Sequence, residues 1–187
     1  EESKEEVPAA EETEPTTIAQ IVENCMPSVV SITTVQIEEI PSFWGTQKFE
    51  GEAVGSGIIV GKSDSELLIA TNNHVVSEAS ELSVCFNDSK EDVVPAKVKG
   101  CDVANDLAVV SIKLDDISDG LLAKIKVATI GDSSSVKVGD QVVAIGNALG
   151  FGQSVTTGIV SAIDREVEID DLNAKLIQTD AAINPGN

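Results

Sequence analysis

Leu67-Leu68-Ile69-Ala70-Thr71-Asn72-Asn73-His74-Val75-Val76 runs from an apolar strand through a polar turn to a histidine, then to two valines. Four apolar residues closed by turn formers read as a short strand, and the end of a strand is a rigid mount for an imidazole. Runs of the same kind lie on both sides: Val29–Val35 and Ser56–Val60 before it, Leu82–Phe86, Val93–Lys99 and Leu107–Ile112 after it. Short strands at this spacing predict an all-β sandwich or barrel. Residues 115–135 read as a connector with Asp, Gly and Ser clusters and one weakly apolar section. A second series follows near Gln141–Ile145, Val155–Ile163 and Leu176–Thr179. The economical organisation is two β units joined by a connector, without tandem repeats.

Upstream, Thr17-Ile18-Ala19-Gln20 has the form of a capping box, and Ile18, Ile21, Val22 and Cys25 follow one helical face. Pro27 disfavours helix beyond Met26, so a short helix is expected over 17–26. Pro41 to Ala53 reads as a loop carrying Trp44 and Phe49, either packed down or serving as a mobile regulatory or substrate-facing segment.

Composition narrows the class. Hydrophobic residues make up 42% of the 187, but aromatics only 3% and tyrosine is absent, so Val, Ile, Leu and Ala must fill the core. That β-branched content favours strands. A net charge of −20 opposes a nucleic-acid surface, which needs clustered Lys and Arg, and equally opposes adsorption to anionic lipid. Residues 1–15 hold seven Glu against one Lys, with Pro8 and Pro15, and read as an acidic disordered linker or an acidic interaction arm. No apolar run has the length of a membrane span; a linker at the start suggests an anchor further upstream. Cys25, Cys85 and Cys101 lack metal-type spacing. A turn near Asn87–Asp92 would set Cys85 opposite Val94, leaving Cys101 beyond it, so all three are expected reduced and mostly buried.

Three places could carry chemistry. His74 is the only histidine; a lone histidine is usually a surface residue, but a strand end would hold an imidazole where it can take and return a proton, as histidine side chains do near neutral pH. Asp106 stands before the strand Leu107–Ile112. Asn-Asp pairs are ordinarily turn residues, yet this carboxylate could accept the Nδ1 hydrogen of His74 and fix its tautomer. Two strands are expected between them. Pro185-Gly186-Asn187 is either an ordinary turn or one whose N–H groups point inward as an oxyanion hole.

Taken together, Gly55-Ser56-Gly57-Ile58-Ile59, Thr71–Val76, Asp106–Val110, Gly139–Asn147, Ser154–Ala162 and Ile177–Asn187 resemble the HtrA/Deg family of trypsin-like serine proteases. The resemblance covers the chain from about Pro27 onward. It implies a chymotrypsin-like double β-barrel with a short N-terminal helix, divided into a linker (1–15), helix and first barrel (16–115), connector (116–135) and an incomplete second barrel (136–187). It implies His74 as general base, Asp106 as its orienting partner, Gly186 as an oxyanion-hole donor and Ile183 in the primary specificity pocket, favouring small aliphatic side chains. The nucleophile serine is expected immediately after Asn187. Asn147–Gln153, Asp164–Asn173 and the region of Trp44 fall where the family carries regulatory loops. No metal or organic cofactor is implied. The expected partners are unfolded or misfolded proteins, two further copies in a homotrimer and a C-terminal PDZ domain. The expected location is outside the cytoplasm, anchored through a segment upstream of residue 1.

Two expectations concern residues 1–187 by themselves. Lacking the serine hydroxyl they should not cleave peptides, and unpaired strand edges should leave the second half poorly folded. The function implied is a serine endopeptidase of extracytoplasmic quality control. The alternative from another class is a non-catalytic, chaperone-like binding barrel.

Overall fold

The computed structural model describes residues 16–42, 45–86, 92–147, 153–169 and 172–183; the acidic stretch 1–15 and Trp44 lie outside them. Helix α1 (Ile18–Cys25) starts where the capping box predicts it. The Gln20 N–H donates to Thr17 Oγ1 at 3.2 Å, and the Thr17 N–H donates to Gln20 Oε1 at 2.8 Å, so two donors orphaned by the helix start are satisfied. Pro27 turns the chain through a 3-10 turn, Met26–Ser28, into the first strand.

Seven strands form one sheet: β1 (Val29–Ser42), β2 (Gly45–Lys62), β3 (Glu66–Thr71), β4 (Ala79–Cys85), β5 (Val93–Pro95), β6 (Lys97–Asp102) and β7 (Leu107–Lys113). Their order is β5-β4-β1-β2-β3-β7-β6. The two edges, β5 and β6, are consecutive in the chain and separated only by Ala96. A sheet whose first and last strands meet at one residue must curl on itself, and the curl encloses the core. The expected strand Val93–Lys99 is therefore two strands, and three strands rather than two separate His74 from Asp106. Pro95, with no N–H to offer, suits the break. The Ala96 N–H still donates to Leu82 O at 2.9 Å.

Alternation decides which side chains the curl buries. On β3, Leu67, Ile69 and Thr71 face inward, and on β7 Ala108, Val110 and Ile112 do. The antiparallel register sets them opposite one another: Leu67 with Ile112, Ile69 with Val110, Thr71 with Ala108. Each inward residue thus meets an inward partner across the ladder. Ile32, Ile59, Val84 and Phe86 complete the same core, which Ile117 and Leu121 of the connector cover.

The expected loop at Pro41–Ala53 is instead a hairpin. β1 and β2 pair without interruption from Val29 and Ile58 to Ser42 and Gly45. Partner strands satisfy the backbone groups there, so polar side chains are no obstacle. Past Gln36, β1 pairs on one side only, where Pro41 is tolerated. The β4–β5 register sets Cys85 opposite Val93, one residue from the expected Val94; Asn87–Glu91 of that turn lie outside the described residues. None of the three cysteines forms a disulfide, but Cys25 and Cys101 are exposed and Cys85 half-buried rather than buried. Every side chain of edge strand β6, Cys101 included, is exposed.

The connector holds a one-turn helix, α3 (Asp119–Leu122), capped by Ser118. It is tied to the first sheet by Lys126 N–H to Pro27 O (3.0 Å) and Ala128 N–H to Ile59 O (2.8 Å). The second sheet has three strands, β8 (Gln141–Asn147), β9 (Gln153–Ile169) and β10 (Leu172–Thr179), in the order β10-β9-β8. Val143 and Ile145 of β8 face Val29 and Ile58 of the first sheet across a cleft of about 500 Å³.

Candidate active site

β3 ends at Thr71, whose hydroxyl donates to Ser56 O at 2.8 Å and pins the strand end to β2. The chain then makes a single helical turn, α2 (Asn73–Val76), with Val76 buried and the His74 side chain 72% exposed. α2 sits close on β2 because Gly55 has no side chain: an added Cβ would lie 2.7 Å from both methyls of Val75. His74 is therefore held by the valines on its C-terminal side, while its ring stays open to solvent.

Asp106 arrives from the other direction, at the end of the turn that joins β6 to β7. Its φ is +50°, in the left-handed region that aspartate tolerates better than most residues. The turn has its own brace, since Asn105 donates through its N–H and its side-chain amide to the two carboxylate oxygens of Asp102, at 3.2 and 2.7 Å.

The two residues are joined twice. The His74 N–H donates to Asp106 Oδ1 at 2.8 Å, and His74 Nδ1 lies 2.7 Å from Asp106 Oδ2. An ionised carboxylate only accepts, so the ring proton belongs on Nδ1 and Nε2 is left with a free lone pair. Asp106 is in turn fixed through its own carbonyl, which accepts the Asn73 N–H at 3.1 Å and the Asn72 side-chain amide at 2.9 Å.

Asn72 is the residue that sequence reasoning missed. It occupies the N-cap position of α2, where asparagine ordinarily caps, but its side chain makes no capping bond. It holds the Asp106 carbonyl instead. The visible signal, Asn before a helical turn, pointed to capping.

The Asp106 carboxyl lies below the ordinary aspartate range. Burial opposes its ionisation, but hydrogen bonds from the His74 main chain and ring, attraction to the His74 charge, and the Asn73 N–H outweigh it. A carboxyl with a folded pKa below its unfolded one contributes its stability in full above the unfolded value, about 3.9 for aspartate. That contribution is lost as pH falls through the folded value. Urea unfolding below pH 4 should accordingly show a steeper loss of stability in the native sequence than in Asp106→Asn. Parallel pH curves for the two would contradict this origin of the shift.

Of the other expected site residues, Ile183 is 60% exposed at the end of the segment leaving β10. Thr156 of β9 holds that segment through a bond to Ala182 O at 2.8 Å. Gly186 and Asn187 lie outside the described residues. So do residues 148–152 of the region expected to regulate. Beside the pair, a pocket of about 240 Å³ between the sheets is lined by Ser56, Thr71, Asn72, Leu107 and Ile145, among others. Among the described residues, no three His, Cys, Asp or Glu side chains converge as a metal site would require.

Comparison with known proteins places the chain among relatives. The model of the trypsin-like peptidase domain matches residues 55–187. The serine protease Do-like HtrA of Bacillus subtilis is 40% identical over 181 residues, covering 91% of this chain and 38% of that protein. The periplasmic pH-dependent serine endoprotease DegQ of Escherichia coli is 38% identical over 186 residues, with 91% and 38% covered. Among solved structures, a variant of the HtrA-type protease AlgW with a decapeptide superposes with a TM-score of 0.75 at 33% identity, covering 91% of this chain and 53% of that one. The chain thus spans little more than a third of the length of these curated relatives.

Proposed function

Since the chain belongs to the trypsin-like peptidases, with HtrA-type serine proteases as its relatives, we propose that the protein is a serine endopeptidase that hydrolyses unfolded or misfolded polypeptides outside the cytoplasm. The observation that carries this reading is the 2.7 Å bond between His74 Nδ1 and Asp106 Oδ2. It leaves Nε2 as the basic atom and puts a carboxylate where an imidazolium needs one.

The nucleophile in this proposal is a serine directly after Asn187. His74 Nε2 takes the hydroxyl proton as the oxygen attacks the peptide carbonyl, and Asp106 stabilises the imidazolium that results. The same nitrogen then gives the proton to the departing amine, leaving an acyl-enzyme for water to cleave. The N–H groups of Gly186 and of the serine receive the oxyanion; losing one such donor typically costs about 10²–10³ in turnover. Ile183 lines the pocket for the residue before the scissile bond and favours small aliphatic side chains. The chemistry is complete without a cofactor.

The same proposal divides the chain into a first barrel unit with its helix (16–115), a connector (116–135) and a second barrel unit (136–187). It includes a homotrimer and a C-terminal PDZ domain. The name of DegQ, a periplasmic endoprotease, supports a location outside the cytoplasm, and an anchor upstream of residue 1 would hold the protein at the membrane. No helix among the described residues is long and apolar enough to cross a membrane.

The test offers the full-length protein one polypeptide in two forms, reduced and unfolded or native, with products followed by mass spectrometry. Cleavage of the unfolded form at internal bonds, after small aliphatic residues, is expected. Binding of the unfolded form without any new termini, unchanged by His74→Ala, would replace the enzyme with a binding protein.

A further inference from the structure

The segment that leads into residues 184–187 has an anchorage of its own, built from side chains. β10 leaves its ladder with β9 through two register shifts, between Leu176 and Gln178 and between Gln178 and Thr179. Beyond them the main chain keeps one long bond, Asp180 N–H to Ile159 O at 3.4 Å, and hydroxyls and a carboxylate supply the rest of the anchorage. Thr179 Oγ1 donates to Ile159 O at 2.9 Å and accepts the Ala181 N–H at 3.0 Å. Asp180 Oδ1 accepts the Ile159 N–H at 2.7 Å, standing in for the carbonyl a regular ladder would supply. Thr156 Oγ1 donates to Ala182 O at 2.8 Å.

The sequence of β9 makes room for this arrangement. A Cβ on Gly158 would collide with Asp180 Oδ1 and the Ala181 nitrogen, and would lie 2.8 Å from Ala181 Cα. Only glycine lets the segment lie against the strand this closely, with Ala181 buried. Two residues further, fully buried Val160 is clasped by the turn before β8: the Gly139 N–H donates to Val160 O, and the Val160 N–H to Asp140 O, both at 2.9 Å. β9 is thus braced where the departing segment leans on it.

We propose that Asp180 is a positioning residue: through the Ile159 N–H it sets the direction in which the chain enters the turn that carries the nucleophile. The inference rests on the proposed serine after Asn187. Asp180 touches no reacting atom in this role. Its effect comes through the placement of the oxyanion-hole N–H groups and the serine, where a shift of about 1 Å costs about 10²-fold.

The test is made on the full-length protein, by kcat and KM on a peptide substrate and by the rate of labelling with a fluorophosphonate. Asp180→Ala is expected to lower kcat and labelling by about 10- to 100-fold with KM nearly unchanged. Asp180→Asn, which retains an Oδ1 acceptor for the Ile159 N–H, should recover most of the loss, and Gly158→Ala should reproduce it. Equal rates for the native protein and Asp180→Ala would overturn the inference, as would equal losses in Asp180→Ala and Asp180→Asn. If Asp180→Ala does not fold by circular dichroism, Gly158→Ala decides: its Cβ collides with Asp180 Oδ1 and displaces the carboxylate, and undiminished labelling would again overturn the inference. A native protein that takes no label at all would instead defeat the proposed function.

Discussion

His74→Ala in the full-length protein is expected to lower kcat for peptide hydrolysis by at least about 10⁴-fold, the scale of losses when a member of a hydrolytic triad is removed. Residues 1–187 hold no other histidine to substitute for it. Asp106→Asn should fall nearly as far, for a reason visible in the hydrogen bonds. Both Asp106 oxygens are acceptors, one for the His74 N–H and one for the ring. Asparagine offers one acceptor and one donor. If its oxygen keeps the main-chain N–H, its amide faces Nδ1 and drives the ring proton to Nε2, where the base is needed. Affinity for an unfolded substrate should survive in both variants, because neither removes surface that grips a polypeptide. Hydrolysis within tenfold of native in His74→Ala would remove the histidine from the mechanism.

The second large effect concerns the core. Phe86→Ala is expected to destabilise the protein by about 3–5 kcal/mol, a large share of the roughly 5–15 kcal/mol that holds a typical domain. Phe86 is 1% exposed in a chain with only four phenylalanines and no tyrosine. The aliphatic residues around it, on strands fixed by their ladders, have little freedom to collapse into the space it leaves. The urea midpoint should fall with the slope retained. Turnover per folded molecule should hold, since Phe86 lies directly after β4 and not on the elements that carry His74 and Asp106. A midpoint within the error of the native one would mean that the core of the first sheet is not organised around this ring.

What the sequence disclosed follows the range of each interaction. Helix α1 was legible to within a residue at each end because capping is local, contained within Thr17 and Gln20. β3 and β7 were legible because each is a short apolar run bounded by turn residues. The Pro41–Ala53 hairpin was not, because Glu38, Glu39 and Glu50 carry no apolar signal and their pairing is a property of two strands together. β9 (Gln153–Ile169) outran the expected Val155–Ile163 because Asp164, Arg165, Glu166 and Glu168 break up the apolar signal of its extra length, which pairing with β10 fixes. The break at Ala96 was hidden because Val93–Lys99 reads as one strand-like segment, and the roll of the sheet reveals it.

The site divides likewise. His74 and Asp106 were identified through motifs shared with a family, because a spacing along the chain says nothing about convergence in space. Asn72 passed unnoticed since its partner, the Asp106 carbonyl, is a main-chain group with no signature in the sequence. Asp180 read only as part of a motif; its bond to the Ile159 N–H depends on two register shifts that no pattern of residues announces.

The central claim, that His74 and Asp106 serve a serine directly after Asn187, is tested most directly by fluorophosphonate labelling of the full-length protein followed by peptide mapping. The account predicts one adduct, on that serine, formed at neutral pH and abolished in His74→Ala. An adduct on another residue, or full hydrolysis of unfolded protein with no adduct anywhere, would contradict it.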